Sequence, residues 1–459
     1  MIPSNLSKDT IVALSTAAGH GAIAVIRLSG PEAISIVQSV FKGKNLQNQP
    51  SHTLHFGTIR DDEKILDEVV VSLFKGPNSY TKEDVIEVSC HGSPYITEQI
   101  IKLFLRKGAR LAEAGEFTKR AFLNGQFDLA QAEAVADLIA SDSALTHQVA
   151  MKQMRGGFSQ EIKALRAQLI HFASMIELEL DFSEEDVEFA DRSALRRLIS
   201  SLQRLITDLL QSFEMGNVLK NGVPTVIAGK PNAGKSTLLN ALLNEEKAIV
   251  SDIPGTTRDV IEDEALISGI RFRFIDTAGL RETQDKVEAI GVARTKEQLQ
   301  KASLVLYLFD LASTTPQEVQ EEMSALDLPQ VPSLLIGNKK DLASPEQLST
   351  FSGLENLVFI SADTKEGLEE LKDALLEQVH ANEAITGDRT IVTNLRHFQS
   401  LQKTSDALQE VLKGLDGGLT GDWLAADIRR CLFYLGEITG EITTDDLLDN
   451  IFTKFCIGK

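Results

Sequence analysis

The spacing of apolar residues changes texture three times along the chain. From residue 1 to about 118, short apolar runs such as Gly21–Leu28 and Asp67–Phe74 are separated by Gly, Pro and Asn, the punctuation of strands and turns. Pro31 followed by Glu32–Phe41 predicts a helix with proline in its first turn. From about 119 to 215, apolar residues recur at three- and four-residue spacing in segments rich in Ala, Leu, Gln and Glu. Leu129–Ala140 and Leu195–Phe213 are examples, and the pattern predicts long amphipathic helices. Breaks are few there: Gly156-Gly157 and the acidic stretch Asp181–Asp191. From about 220 to 380, strand and helix patterns alternate, as in a parallel-sheet α/β domain. The predicted strands are Thr225–Ala228, Arg271–Ile275, Leu304–Phe309, Ser333–Ile336 and Leu357–Ile360. Helical periodicity returns after about 390.

The simplest organisation is a helical domain into which an α/β domain is inserted, preceded by a small α+β domain. Insertion is tolerated because domain termini commonly lie close together at the surface. The expected boundaries are 1–118, 119–218, 219–382 and 383–459. No internal repeat or low-complexity tract interrupts them.

Composition narrows the setting. The chain has 459 residues, of which 43% are hydrophobic and 24% charged, ordinary values for a globular protein able to bury several cores. The net charge of −20 argues against a surface devoted mainly to nucleic-acid backbone, and gives no support for an anionic membrane as partner. Three cysteines, Cys90, Cys431 and Cys456, are too far apart for a CxxC pair and odd in number, which fits a reducing compartment and a cytoplasmic protein. No basic n-region of a signal peptide and no run of 18 apolar residues is present, so no membrane span is expected.

The chemistry begins at Gly229-Lys-Pro-Asn-Ala-Gly-Lys-Ser236, a GxxxxGK[ST] loop between the apolar run Val226–Ala228 and the helical pattern Leu238–Leu243. Glycines let backbone N–H groups wrap a phosphate, and the following helix N-terminus adds partial positive charge. Lys235 is expected at the β- and γ-phosphates and the Ser236 hydroxyl on Mg²⁺, with Asn232, Ala233, Gly234 and Thr237 completing the cradle. Three further segments follow in the order a GTPase requires. Asp276, Thr277, Ala278 and Gly279 end a strand, where a carboxylate can hold the metal's water shell and a glycine N–H can meet the γ-phosphate. Asn338 and Lys339 lead to Asp341, whose carboxylate can accept from both N1 and the exocyclic amine of guanine. In Ser361, Ala362 and Asp363, a backbone N–H can meet the guanine carbonyl. This ordered set is similar to the translation-factor-like class of P-loop GTPases.

Two details bear on mechanism. Leu280 follows the DTAG segment, so a glutamine that orients attacking water is missing from that position. Asn232 offers a side-chain oxygen beside the phosphates; it can hold a monovalent cation in place of an arginine finger, or it can simply suit the turn. Ser251–Asp259 (SDIPGTTRD) lies where a first switch is expected, with Thr256 and Thr257 offering hydroxyls.

GKPNAGKS, SDIPGTTRD and DTAGLRE, together with the terminal Cys456-Ile-Gly-Lys459, resemble the MnmE/TrmE family of tRNA modification GTPases. Gly115-Glu-Phe117 and Asp128-Leu-Ala-Gln-Ala-Glu133 look like the family as well, and the likeness covers essentially the whole chain. It implies action with the flavoprotein MnmG, in a heterotetramer, on carbon 5 of the tRNA wobble uridine. A carboxymethylaminomethyl or aminomethyl group is built from a one-carbon unit of a 5-formyl- or 5,10-methylene-tetrahydrofolate. It further implies an N-terminal domain that binds folate and forms a homodimer, and GTPase domains that pair around potassium. By position, Asn232, Ser251, Ile253 and Thr256 match the potassium site, Ser236 and Thr257 the Mg²⁺ site, and Glu288 the water-positioning glutamate. Arg27, Glu87 and Lys459 match folate contacts. Gln126 stands where some members have lysine. Cys456 is either a catalytic thiol or a thiol packed beside Phe452 and Phe455. Cys90 and His91 read as structural, pointing to opposite faces of one strand.

Two other functions fit the GTP motifs: a ribosome-assembly GTPase, which usually carries a KH-like appendage not recognisable here, and a GTP-binding scaffold without turnover.

Overall fold

The computed structural model describes residues 9–181, 192–246, 262–276, 302–326, 331–379, 390–417 and 421–458. The chain divides into two compact units: residues 1–139, 150–202 and 403–459 form one, and residues 140–149 and 203–402 the other.

The first unit opens with strands β1 (Ile11–Leu14) and β2 (Ile23–Ser29), helix α1 (Ala33–Val40), strands β3 (Phe41–Lys42), β4 (Thr53–Asp61), β5 (Lys64–Phe74) and β6 (Val85–His91), helix α2 (Pro94–Arg106) and strand β7 (Arg110–Leu111). They make one sheet in the order β3-β4-β5-β6-β2-β1-β7, antiparallel except where β7 runs parallel to β1. Alternation decides which face is covered. Val69, Val71 and Leu73 of β5 and Ile86, Val88 and Cys90 of β6 are buried with Ile36 and Val37 of α1 and Leu103 and Phe104 of α2. The opposite positions leave Ile23, Leu54, Phe56 and Val70 exposed. The helix predicted from Pro31 forms, but Pro31 precedes its N-cap Glu32 and is not in its first turn.

Helices α3 (Glu116–Leu123), α4 (Leu129–Ala140), α5 (Ala144–Met154), α6 (Gly157–Asp181) and α7 (Arg192–Asn221) follow. The family-like segment at Asp128 has a local task. The Asp128 side chain accepts from the Gln131 N–H and the Gln131 side chain from the Asp128 N–H, both at 3.0 Å, a reciprocal cap for α4.

The second unit carries strand β8 (Val223–Ala228), helix α8 (Lys235–Glu246), strands β9 (Glu262–Ile267), β10 (Ile270–Asp276) and β11 (Leu304–Asp310), helix α9 (Pro316–Ala325), strand β12 (Ser333–Asn338), helix α10 (Pro345–Thr350), strand β13 (Leu357–Phe359) and helix α11 (Leu368–Gln378). Its sheet runs β13-β12-β11-β8-β10-β9, parallel except for β9 at one edge. Both faces are covered: Leu306 and Leu308 belong to one core, Val305, Tyr307 and Phe309 to the other. All five predicted strands appear, extended by one or two residues or trimmed by one. β9 was not anticipated, because only Ala265 and Ile267 of Glu262–Ile267 are apolar and fully buried.

The first unit resumes within α12 (Leu395–Asp416) and continues with α13 (Gly421–Thr439), which packs on α6, and α14 (Asp445–Phe452). Phe452 and Leu448 close a small core with Phe122 and Leu129. Among the described residues, no helix is long and apolar enough to cross a membrane.

Candidate functional site

The phosphate loop lies between β8 and α8. Gly229 has φ 144°, and a Cβ there would collide with the Leu308 carbonyl of the neighbouring strand, so only glycine lets the chain leave the sheet at this point. Gly234, at φ 100°, lies against the Asn338 amide in the same way. Asn232 takes the left-handed conformation at φ 65°, in a turn closed by the Ala233 N–H donating to the Lys230 carbonyl at 3.3 Å. The Lys235 ammonium is folded over the loop and donates to the carbonyls of Gly229 (2.7 Å) and Lys230 (2.9 Å). Ser236 and Thr237 are exposed on the first turn of α8. The lysine, the hydroxyl and the helix N-terminus therefore converge where a triphosphate is expected.

A second loop set is tied to this one. Asn338 ends β12 and is 3% exposed. Its Nδ2 donates to the Ala233 carbonyl at 2.8 Å, and its Oδ1 accepts from the Ala362 N–H at 3.0 Å. One amide thus staples the phosphate loop to the loop after β13. Lys339 is left-handed at φ 61° and donates to Asp310 at 2.7 Å. Burial acts to raise the Asp310 carboxyl, but the Lys339 ammonium and the Ala312 N–H outweigh it and hold it below the usual carboxylate range. Asp341 is exposed in a short 3₁₀ turn, Lys340–Leu342. In the segment Ser361, Ala362 and Asp363, the Ser361 N–H donates to the Glu366 carbonyl at 2.9 Å and the Ala362 N–H to the Asn338 side chain at 3.0 Å.

Asp276 ends β10 in register with Ile227 of β8, which brings the start of the DTAG segment beside the phosphate loop. Thr277, Ala278, Gly279, Ser251, Ile253, Thr256, Thr257, Glu288 and Lys459 lie outside the described residues. Among the described residues, no group of three or more His, Cys, Asp or Glu side chains is placed to hold a metal ion.

Comparison with known proteins is decisive for the family. The model described as the GTP-binding protein TrmE N-terminus matches residues 10–126, and that of the MnmE helical domain matches residues 129–456. The tRNA modification GTPase MnmE of Cytophaga hutchinsonii is 62% identical over 451 residues, covering 98% of this chain and 98% of that one. Its counterpart in Flavobacterium johnsoniae is 56% identical over 466 residues, covering 99% and 100%. In Bacteroides thetaiotaomicron the figure is 52% over 469 residues, again covering 99% and 100%. The chain belongs to the MnmE/TrmE family.

The residues that the MnmE/TrmE resemblance assigns to folate lie in the first unit. Arg27 of β2 and Glu87 of β6 are cross-strand partners, paired at 2.8 Å, on the face of the sheet that also carries Ile23 and Val70. The Arg27 guanidinium lies 5.3 Å from the Tyr80 ring centre and 5.6 Å from that of Phe117. Tyr80 stacks edge-on to Phe127, which follows the exposed Gln126. Tyr80 and Phe117 were not anticipated as ring neighbours of Arg27, although Phe117 lies in the family-like segment Gly115-Glu-Phe117.

The family's C-terminal tail is described up to Gly458. Ile457 bridges Ala114, the Gly115 N–H donates to the Cys456 carbonyl at 3.4 Å, and Ser15 donates to the Gly458 carbonyl at 3.3 Å. Gly458 has φ 95°, and a Cβ would strike the Leu14 carbonyl. The tail thus ends beside β1, whose Ala13 pairs with Arg27. The Phe452 and Phe455 rings pack on each other, but Cys456 is exposed, which corrects the alternative of a packed thiol. Cys90 is buried, its thiol pushed up to about 11 by burial and by Asp67. His91 points to the opposite face, held by Asp67 at 2.7 Å.

Proposed function

We propose that this chain hydrolyses GTP in the service of building a carboxymethylaminomethyl or aminomethyl group on carbon 5 of the tRNA wobble uridine. It does so in the cytoplasm, with the flavoprotein MnmG and a tetrahydrofolate one-carbon unit. The observation that carries the reading is the coexistence, in a tRNA modification GTPase family, of a formed phosphate loop and an Arg27–Glu87 pair near the C-terminal tail. The domain division supporting it is a folate-binding and dimerising part (1–118), a helical domain in two parts (119–218 and 383–459) and an inserted GTPase domain (219–382).

Lys235 exchanges two loop carbonyls for phosphate oxygens, a small displacement because its ammonium is already held over the loop. Ser236 and Thr257 hold Mg²⁺, and Asn232, Ser251, Ile253 and Thr256 hold K⁺. Bound there, the two cations would neutralise charge developing on the phosphates, the task of an arginine finger elsewhere. Glu288 orients the attacking water that no glutamine after DTAG can orient. Asp341 selects guanine. Arg27, Glu87, Gln126 and Lys459 hold the folate, and Cys456, with its exposed thiol, is available for covalent chemistry. The outward face of the N-terminal sheet, with Ile23, Leu54, Phe56 and Val70 exposed, suits self-association into the homodimer.

Mass spectrometry of tRNA from cells lacking the protein should show the wobble modification gone; intact modification refutes the substrate. Purified protein should hydrolyse GTP faster in KCl than in NaCl, and Glu288→Ala should slow it by at least about a hundredfold, the loss typical of an essential water-orienting group. Equal rates in both salts refute potassium stimulation. Turnover itself separates the enzyme from a GTP-binding scaffold.

A further inference from the structure

The phosphate loop has a second tether besides Asn338. Glu322 of α9 accepts the hydroxyl of Tyr307 and the ammonium of Lys230, the second residue of the loop. Tyr307 belongs to β11 and is 3% exposed, packed in the core with Phe309 and Phe351, so its hydroxyl is a fixed point of the sheet. Burial, and then its bond to Glu322, raise the Tyr307 phenol, which keeps it a proton donor to that carboxylate. On the other side, the Lys230 carbonyl accepts from the Lys235 ammonium at 2.9 Å and from the Ala233 N–H at 3.3 Å. The latter bond closes the turn that holds Asn232 left-handed. Lys230, Asn232, Tyr307 and Glu322 line one pocket of about 130 Å³ beside the loop.

These contacts form a relay. A core tyrosine fixes a carboxylate, the carboxylate fixes the Lys230 side chain, and the Lys230 backbone supports both the phosphate-binding lysine and the Asn232 turn. Loop motifs of this kind leave the residue after the first glycine open in type. A cation there, paired to a helix across the pocket, serves to hold the loop and not to meet the phosphates.

We propose that Glu322 is a positioning residue for GTP binding and hydrolysis, acting through Lys230 on Lys235 and Asn232. The part that runs through Asn232 rests on its reading as a potassium ligand; the part that runs through Lys235 does not. Lys230 is 54% exposed and Glu322 28%, so the pair is partly screened and its effect is modest.

The test uses the full chain with Glu322→Gln, Lys230→Met, the double variant and Lys230→Arg. GTP affinity is measured with Mg²⁺ present, and hydrolysis is followed over a KCl series. Each single neutral variant should weaken GTP binding and raise the half-activating KCl concentration, both by about three- to five-fold, with kcat at saturating KCl within about two-fold of the parent. The double variant should be no worse than either single one, because both break the same link. Lys230→Arg, which keeps the pair, should match the parent. Thermal midpoints should stay together across the set. Parental GTP affinity and KCl dependence in Glu322→Gln, or losses that add in the double variant, overturn the proposal. If the parent hydrolyses GTP equally in KCl and NaCl, the potassium reading of Asn232 falls, and GTP affinity alone decides Glu322.

Discussion

Asn338 bridges two loops with a single amide that is 3% exposed. Removing it leaves the Ala233 carbonyl and the Ala362 N–H without their partner, and an unsatisfied buried polar group costs about 1–3 kcal/mol. Asn338→Ala should therefore lower GTP affinity by about tenfold or more in equilibrium titration. Unchanged affinity would show that the loops hold their places without it. The NKKD spacing singles out this residue but points it at the base. Its grip on the phosphate loop, more than a hundred residues earlier in the chain, is visible only once β12 ends beside that loop.

At the scale of elements, α3 illustrates what periodicity misses. Arg120 on α3 is 4% exposed and contacts Asp9, Glu83 and Glu116, while Arg110 of β7 reaches Asp9 and Glu116. Taking one partner from a buried ion cluster costs about 3–5 kcal/mol, so Arg120→Met should cost the first unit about that much in denaturant unfolding. The cluster also sets a pH dependence. Burial acts to raise the Glu116 carboxyl, but Arg110, the Glu113 N–H and Arg120 outweigh it and hold it below its ordinary 4.5. A folded-state value below the unfolded one means stability is full above about pH 4.5 and is lost as pH falls through the lower folded value. Thermal midpoints measured from neutral to acid should show this loss in the parent, and the loss should be smaller in Arg120→Met, whose Glu116 lacks one of the partners that hold it below 4.5. Coincident acid limbs in the two proteins would contradict it. Helical periodicity finds neither α3 nor this cluster, because its partners come from four separate places in the chain.

At the scale of the molecule, the outward face of the N-terminal sheet is where the proposed homodimer would form. Leu54 and Phe56 are 70% and 69% exposed, on the face opposite the buried core. Charges placed there should leave folding intact and break self-association. If the proposed homodimer forms through this face, the double variant Leu54→Asp, Phe56→Glu should sediment as a monomer and the parent as a dimer, with thermal midpoint unchanged and the proposed potassium stimulation reduced. A variant that remains dimeric would move the interface elsewhere.

The sequence by itself determined the phosphate loop, the strand–helix alternation around it and the family. Those signals are local: a glycine pattern needed by a tight turn, apolar runs of a sheet buried on both faces, and a terminal tetrapeptide. Tertiary structure decided the Asn338 staple, the Tyr307–Glu322–Lys230 relay, the aromatic walls around Arg27 and the docking of Gly458 on Ser15. Each joins residues far apart in the chain through one or two polar contacts, and such contacts leave no period for a linear pattern to carry.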